Sequence, residues 1–306
     1  MIGVYGANGF IGSNLVRRLF AEGRPFRAIS RHKPNDLHDL PKDLFNFVEA
    51  DFEDSLAMES SLIGLDTVIQ LISTSSPGLG NQHAVSDVQH NIIPHIKFMS
   101  SCAQAGVRRY IFLSSGGTVY GPTSVCPIAE DHPTNPISSH GLTKLTTEKY
   151  LQMQSHVSGM EYVILRLANA FGPGQAFNKG QGLIPAVLER YSQHKPIDVI
   201  GSGDARRDYV YIDDVVEACL AAIDVPRPLY EVINIGSGQS RSVAEVLNAM
   251  EEILQARFDR NYRDARRTDV DINQLDIRRA AAVLEWVPQI SFEEGLSIML
   301  KRIRSR

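Results

Sequence analysis

The chain has 306 residues, 43% of them hydrophobic and 22% charged, with a formal net charge of −4. This is longer than one average domain and ordinary in composition for a globular protein, so one large domain or two intimate ones is expected. The acidic balance gives no general reason to bind nucleic acid or an anionic membrane surface, and no stretch is apolar for long enough to span a bilayer.

Taken in chain order, short apolar runs alternate with stretches of helical apolar spacing through the first half. The runs 1–5, 26–30, 45–49, 67–71, 110–114 and 162–166 predict buried strands. The stretches 10–22, 55–62, 88–105 and 138–156 predict helices. Such alternation implies an α/β fold with a doubly wound parallel sheet and crossover helices on both faces. After Asn169 the texture changes. Gly172-Pro173-Gly174, Gly180, Gly182, Pro185, Gly201 and Gly203 interrupt the pattern, which predicts a smaller C-terminal lobe. The expected division is a dinucleotide-binding domain over 1–168 and a second lobe over 169–206 and 237–306. Segments near 207–236 return to the sheet, with strands near 209–215 and 230–235.

The first strand runs into Gly6-Ala7-Asn8-Gly9-Phe10-Ile11-Gly12 and then into the first helix. Glycines there let the backbone turn tightly and approach a pyrophosphate, which the positive end of the helix attracts. Gly6, Asn8, Gly9, Phe10, Ile11 and Gly12 are therefore candidate cofactor residues. At the end of the second strand a carboxylate would indicate NAD, through the ribose 2′-hydroxyl. The chain instead has Ser30-Arg31-His32-Lys33, a hydroxyl with cations that leans slightly toward a 2′-phosphate and NADP(H). NAD stays open, because Arg31 can equally stack on adenine. Asp51 and Phe52, after the third strand, are placed to meet the adenine edge and ring.

Cys102, Cys126 and Cys219 are odd in number and widely separated, which predicts reduced thiols and no metal site. Histidines such as His32, His83, His90, His95 and His194 lack ligand spacing and are expected at the surface or in packing. The N-terminus lacks the layout of a secretion signal, so a cytoplasmic location is expected.

Four motifs occur in order: the glycine loop; Leu113-Ser114-Ser115-Gly116-Gly117-Thr118-Val119-Tyr120-Gly121; the segment from Ile137 to Leu151 with Lys144; and Arg207-Asp208-Tyr209-Val210-Tyr211-Ile212-Asp213-Asp214. Together they resemble the extended short-chain dehydrogenases/reductases, of the NAD-dependent epimerase/dehydratase type acting on nucleotide sugars. UDP-glucose 4-epimerases are the nearest type. The resemblance implies a nicotinamide above Lys144, which bonds its ribose. It implies that Leu71, Ile72 and Ser73 line the cofactor path and that Asn91 braces the catalytic helix. It also implies a nucleotide-diphosphate sugar held by Asn169, Arg207 and Arg266, with Leu183, Ile184 and Val199 beside the base. A homodimer through helices near 88–105 and 138–156 follows from the same resemblance.

The arginines support the anion site independently. A diphosphate needs permanently charged, forked donors, and Arg206-Arg207 together with Arg263, Arg266 and Arg267 can supply them in an acidic chain.

Two positions depart from the family pattern. Its proton-transferring tyrosine, four residues before the lysine, is His140 here, and its hydroxyl residue near the sugar oxygen aligns with Gly116. Ser115 or Thr118 are the candidate replacements. An imidazole that accepts a proton becomes a cation, which Lys144 and an oxidised nicotinamide oppose, so His140 is expected to be mostly neutral near pH 7. A neutral imidazole suits oxidation of an alcohol better than reduction of a ketone. Three readings follow: a nucleotide-sugar 4-epimerase-like oxidoreductase with an atypical histidine, an NADPH-dependent nucleotide 4-keto sugar reductase, and a dinucleotide or nucleotide-sugar binding protein without turnover.

Overall fold

A computed structural model describes residues 1–33, 45–74, 84–175, 182–264 and 270–304. Its strands are β1 (Ile2–Tyr5), β2 (Phe26–Ser30), β3 (Phe45–Glu49), β4 (Thr67–Gln70), β5 (Arg109–Ser115), β6 (Glu161–Leu167), β7 (Asn169–Phe171), β8 (Ile197–Ile200), β9 (Arg206–Tyr211), β10 (Tyr230–Ile235), β11 (Ser240–Ser242), β12 (Arg260–Arg263) and β13 (Ile272–Asn273). Its helices are α1 (Phe10–Ala21), α2 (Ser55–Ser61), α3 (Ala84–Asp87), α4 (Ile93–Gln104), α5 (Ser139–Ser158), α6 (Leu183–Ser192), α7 (Ile212–Asp224), α8 (Val243–Leu254), α9 (Arg278–Leu284) and α10 (Phe292–Arg304).

Seven strands form one parallel sheet in the order β10-β6-β5-β4-β1-β2-β3. The chain reverses direction across this sheet after β3, where a crevice opens at the strand ends beside β1 and β4. Both faces are buried, so successive residues of each strand feed different cores. Val4, Ile69, Ile111, Leu113, Val163 and Leu165 pack with Leu15, Val16 and Leu19 of α1. Tyr5, Val68, Tyr110, Phe112 and Ile164 pack with Met58, Phe98, Cys102 and Leu151 on the other side.

The smaller lobe is built around β9, which pairs with β7 and β13 in parallel and with β11 antiparallel. Strands β8 and β12 form a separate parallel pair. The structure corrects two sequence expectations. Segment 209–215 does not return to the large sheet: its strand part belongs to β9, and from Ile212 it is helix α7. Ile212, Val215, Val216, Cys219, Leu220 and Ile223 recur at helical spacing and are buried on α7, and Asp213 and Asp214 suit its positive N-terminal turn.

Nor is 88–105 one regular helix. Val88–Ile92 form a π-turn between α3 and α4, with the Ile93 amide bonding the Val88 carbonyl. Pro94 has no amide to continue an α-helical ladder, and a π-turn accommodates the lost bond. No described helix is long and apolar enough to cross a membrane.

Candidate active site

The glycine loop is built as a cradle. Gly6 has φ +90°, and a Cβ on Gly12 would lie 2.1 Å from the Gly6 carbonyl oxygen. Only a bare backbone lets α1 start this close to β1. The Gly6 and Ala7 amides bond the Ile29 carbonyl at 2.9 and 3.2 Å, and Gly9 caps α1 without a side chain of its own. Asn8 is exposed, and Phe10 and Ile11 are half-buried. This arrangement fits a dinucleotide pyrophosphate at the helix start.

Around the cradle, β2 ends at Ser30, whose hydroxyl donates to the His32 carbonyl at 2.7 Å. Its bonding capacity is thus partly committed to its own turn, while Arg31 is exposed. Asp51 accepts the Glu53 amide at 3.0 Å and is also exposed. The Phe52 ring is buried, with its centroid 4.8 Å from that of His95 and 5.4 Å from that of Phe98. That ring is part of the core, so Asp51 is the side chain of the pair that faces outward. Beyond β4, the Leu71 amide bonds the Tyr5 carbonyl at 3.0 Å and the Ile72 amide bonds Gln70 Oε1 at 2.8 Å. Leu71 and Ile72 also wall the Gly6 turn, lying within 3.3 Å of a Cβ placed there. After Ser73, the Thr74 amide donates to Asn91 Oδ1 at 2.9 Å, which ties the π-turn to the β4 exit.

Helix α5 begins where Ser138 accepts the Gly141 amide on its hydroxyl at 3.1 Å, an ordinary N-terminal cap. His140, Lys144 and Glu148 are spaced by four residues and share one face. All three are buried, at 9%, 8% and 1% exposure. A Cβ on Gly141 would lie 2.7 Å from the Thr118 carbonyl oxygen, so this helix turn packs directly on the loop leaving β5. The helix turn that carries His140 and the Thr118 backbone thereby meet. Thr118 Oγ1 is buried and has no hydrogen-bond partner among the described residues. Ser115 is half-buried, and its carbonyl accepts the Thr118 and Val119 amides at 3.3 and 3.1 Å.

Lys144 donates to the Leu113 carbonyl at 2.8 Å, and its ammonium lies 4.9 Å from the Phe112 ring centroid. Burial lowers its pKa to about 8, against the pull of Glu148. Behind it lies a set of residues that sequence reasoning left without a role. Arg166 on β6 grips Glu148, with Nη2 2.7 Å from Oε2 and Nε 3.2 Å from both oxygens. Ser114 also donates to Glu148. Arg166 Nη1 reaches the Tyr120 hydroxyl at 3.1 Å and the Glu130 carbonyl at 3.2 Å, and Tyr120 donates to Asn234 at 2.6 Å. The repeated four-residue spacing was visible on α5, but the partner arriving from another strand was not.

In the smaller lobe, β7 and β9 set Asn169 opposite Tyr209, and Asn169 Nδ2 donates to the Asp208 carbonyl at 3.1 Å. Asn169 thus neighbours Arg207, which is half-buried on β9 and donates to the Arg206 carbonyl at 2.8 Å. Arg206 points to the other side of the strand and pairs with Glu245 at 3.0 Å, and Arg263 pairs with Asp198 at 3.3 Å. Those two charges have carboxylate partners of their own. Leu183 is half-buried at the start of α6, and Ile184 and Val199 are buried in the core. Arg266, with Arg267, lies outside the described residues.

Asp208, also unassigned from sequence, is fully buried. It accepts the Ser237 amide and hydroxyl at 2.7 Å and the Gly238 and Leu275 amides at 3.2 Å. It fastens the β10–β11 turn and the segment after β13 to β9. Asn273 on β13 pairs in register with Arg207 and donates to the Gly116 carbonyl at 3.0 Å, which joins the smaller lobe to the β5 exit.

Comparison with known proteins matches this architecture. The sequence model of the NAD dependent epimerase/dehydratase family covers residues 2–236. The chain is 31% identical to the dTDP-4-dehydro-6-deoxyglucose reductase of Escherichia coli, over 99% of this chain and 97% of that protein. The crystal structure of a Thermotoga maritima UDP-glucose 4-epimerase with UDP-glucose superposes with a TM-score of 0.92 at 32% identity, covering 99% of this chain and 98% of that one. A Thermus thermophilus UDP-glucose 4-epimerase in complex with NAD gives 0.90 at 27% identity, covering 99% and 98%. With its seven-stranded parallel sheet, glycine cradle and lysine helix, this chain belongs to the NAD dependent epimerase/dehydratase family of enzymes.

Proposed function

We propose that the protein is a nucleotide-sugar 4-epimerase-like oxidoreductase working through a transient 4-keto sugar, with His140 where related enzymes use tyrosine. The observation that carries this reading is the packing of the His140 turn onto the Thr118 loop, one helical turn from buried Lys144. A bound nicotinamide supplies the hydride acceptor and donor. Lys144, anchored to Leu113 by one N–H, has others for the ribose hydroxyls. Neutral His140 takes the proton of the sugar C4 hydroxyl and returns it after the keto sugar has turned. Thr118, whose hydroxyl has no partner among the described residues, bonds the C4 oxygen in place of the family's hydroxyl residue.

Asn169, Arg207 and Arg266 hold the diphosphate while the hexose rotates, and half-buried Leu183 flanks the base, whereas Val199, expected beside it, is taken up by the core. Holding the remote phosphates keeps binding energy away from the moving ring. NAD is the assigned cofactor, since Ser30 spends its hydrogen on His32 and solved neighbours hold NAD. Three free cysteines, two of them buried, suit the reducing cytoplasm.

A second reading has its own support. The reductase similarity and exposed Arg31 beside the β2 end favour an NADPH-dependent 4-keto sugar reductase. The two readings differ in redox stoichiometry. Wild type and His140→Tyr would be incubated with UDP-, GDP-, dTDP- and CDP-sugars and NAD or NADPH, followed by chromatography. The epimerase reading expects interconverting stereoisomers without net cofactor consumption, and about a hundredfold or greater gain in His140→Tyr. Stoichiometric NADPH oxidation would select the reductase. Tight sugar binding without conversion by either protein would overturn both in favour of a binding protein.

We also assign a homodimer. Helices α4 and α5 pack side by side, and Leu142, Met153 and Val157 leave apolar side chains exposed along α5. A second copy related by a two-fold axis would cover them.

A further inference from the structure

Lys144 is one member of a buried group of charges that crosses from helix to sheet. Glu148, one turn along α5, faces it from below. The carboxylate is also claimed from the sheet: Arg166 sits beside Ser114 in the β5–β6 register, and both bond Glu148. Arg166 is itself held by Tyr120 and the Glu130 carbonyl, with its guanidinium carbon 4.9 Å from the Tyr120 ring centroid. Two cations therefore share one anion in a dry place, and the better-placed one is a rigid fork matched to both carboxylate oxygens.

We propose that Arg166 is a positioning residue for the reaction: by engaging both oxygens of Glu148, it withholds that carboxylate from Lys144 and so sets how tightly the lysine holds its proton. The proposal rests on the reading of Lys144 as the group that meets the cofactor ribose. Among the described residues the groups facing Lys144 are few. On α5 they are His140 and Glu148, and on β5 the Leu113 carbonyl and the Phe112 ring. On α4 there is His95, whose own pKa is lowered to about 3 by burial and by Lys144, so it stays neutral. Arg166 on β6 acts through Glu148. Burial carries the Lys144 pKa down to about 8, and Glu148 is the group that opposes the fall. A carboxylate not shared with Arg166 would oppose it more strongly.

The Lys144 midpoint is measurable in the full-length protein by carbon NMR of lysine-labelled samples, with Lys144→Met giving the assignment. Wild type is expected to titrate at about 8, well below a free lysine. Arg166→Met should raise the midpoint by roughly one pH unit, and Glu148→Gln should lower it by a similar amount, as neighbouring-charge effects do. Glu148→Gln/Arg166→Met removes the buried Arg166–Glu148 pair as a unit, leaving neither partner without the other, and should fold even if a single variant does not.

In the Glu148→Gln background, Arg166→Met should leave the midpoint in place, because the arginine then has no carboxylate to withhold. With Glu148 present, Arg166→Lys should keep the midpoint close to the wild-type value. A shift in that background, or shifts of equal sign in the two single variants, would overturn the proposal. Loss of thermal stability with unmoved midpoints would do the same and reduce Arg166 to a structural residue. NADH binding by fluorescence on the same samples tests the functional reading separately. A wild type that binds none, with the midpoints moving as described, would remove that reading while leaving the Arg166–Glu148 action intact.

Discussion

Gly116 shows how a single position can close off the usual chemistry. A Cβ there would lie 2.6 Å from Leu275 Cδ1 and 2.9 Å from the Arg166 carbonyl oxygen. Leu275 could turn aside, but a backbone carbonyl in a central strand cannot do so cheaply. Gly116→Ser is therefore expected to cost about 1–3 kcal/mol in urea unfolding, as overpacking does, without raising turnover. Thr118 is the opposite case. Its buried hydroxyl has no partner among the described residues, so Thr118→Val should leave the melting temperature nearly unchanged and reduce turnover about a hundredfold.

His95 provides a pH prediction. Its Nδ1 faces the Asn91 carbonyl, so Nδ1 carries the proton, and Nε2 is buried without a partner among the described residues. Burial lowers the folded pKa from 6.5 to about 3. Below pH 6.5 the unfolded chain binds a proton that the folded chain refuses, so stability is lost as pH falls from 6.5 toward 3. The slope from this group is roughly 1.4 kcal/mol per pH unit. His95→Phe should flatten that part of a denaturation-against-pH curve; an unchanged slope would refute the assignment. The sequence marked His95 as a packing residue, but its depth and its neighbour Lys144 come from the fold.

Among the elements, β5 is held in place by more than its ladder. Fully buried Arg109 at its start bonds Glu161 at 2.7 Å, the carbonyls of Ala222, Ile223 and Val225 at 2.9–3.1 Å, and that of Arg227 at 2.9 Å. A guanidinium at the C-terminal end of α7 satisfies carbonyls with no helical partner and suits the negative end of the dipole. Arg109→Met leaves those carbonyls without their donor and Glu161 with only the more exposed Arg108, and should cost about 3–5 kcal/mol by chemical denaturation. Because β5 carries Thr118 at its exit and Leu113 under Lys144, activity should fall with stability and recover at lower temperature.

Strands β1 to β6 were legible at this scale because apolar runs mark strands, although edge strand β3 buries only Phe45 fully rather than both its faces. The two- and three-residue strands β7, β11 and β13 were not. Nothing in so short a segment specifies strand, and it is pairing with β9 that does so. The break at Pro94 and the α7 helix were both written in residue type and spacing. There the information was present, but the period was read wrongly.

At the scale of the whole molecule, the two lobes meet where β13 and the β5 exit are joined by Asn273 and Gly116. The exposed apolar stripe on α5 belongs to the same scale. Leu142→Glu combined with Met153→Glu, both on outward positions more than half exposed, should convert a dimer to a monomer by light scattering at micromolar concentration. A wild type already monomeric at that concentration would remove the assigned dimer. The sequence by itself determined the parallel sheet, the glycine cradle and the shared face of His140 and Lys144, because each follows from local period or from a four-residue helical step. Only the tertiary structure decided that Arg166 holds Glu148, that Leu275 and the Arg166 carbonyl crowd Gly116, and that Arg206 turns away from Arg207. Those outcomes depend on which strand arrives alongside, and residues far apart in the chain carry no local mark of their eventual neighbour.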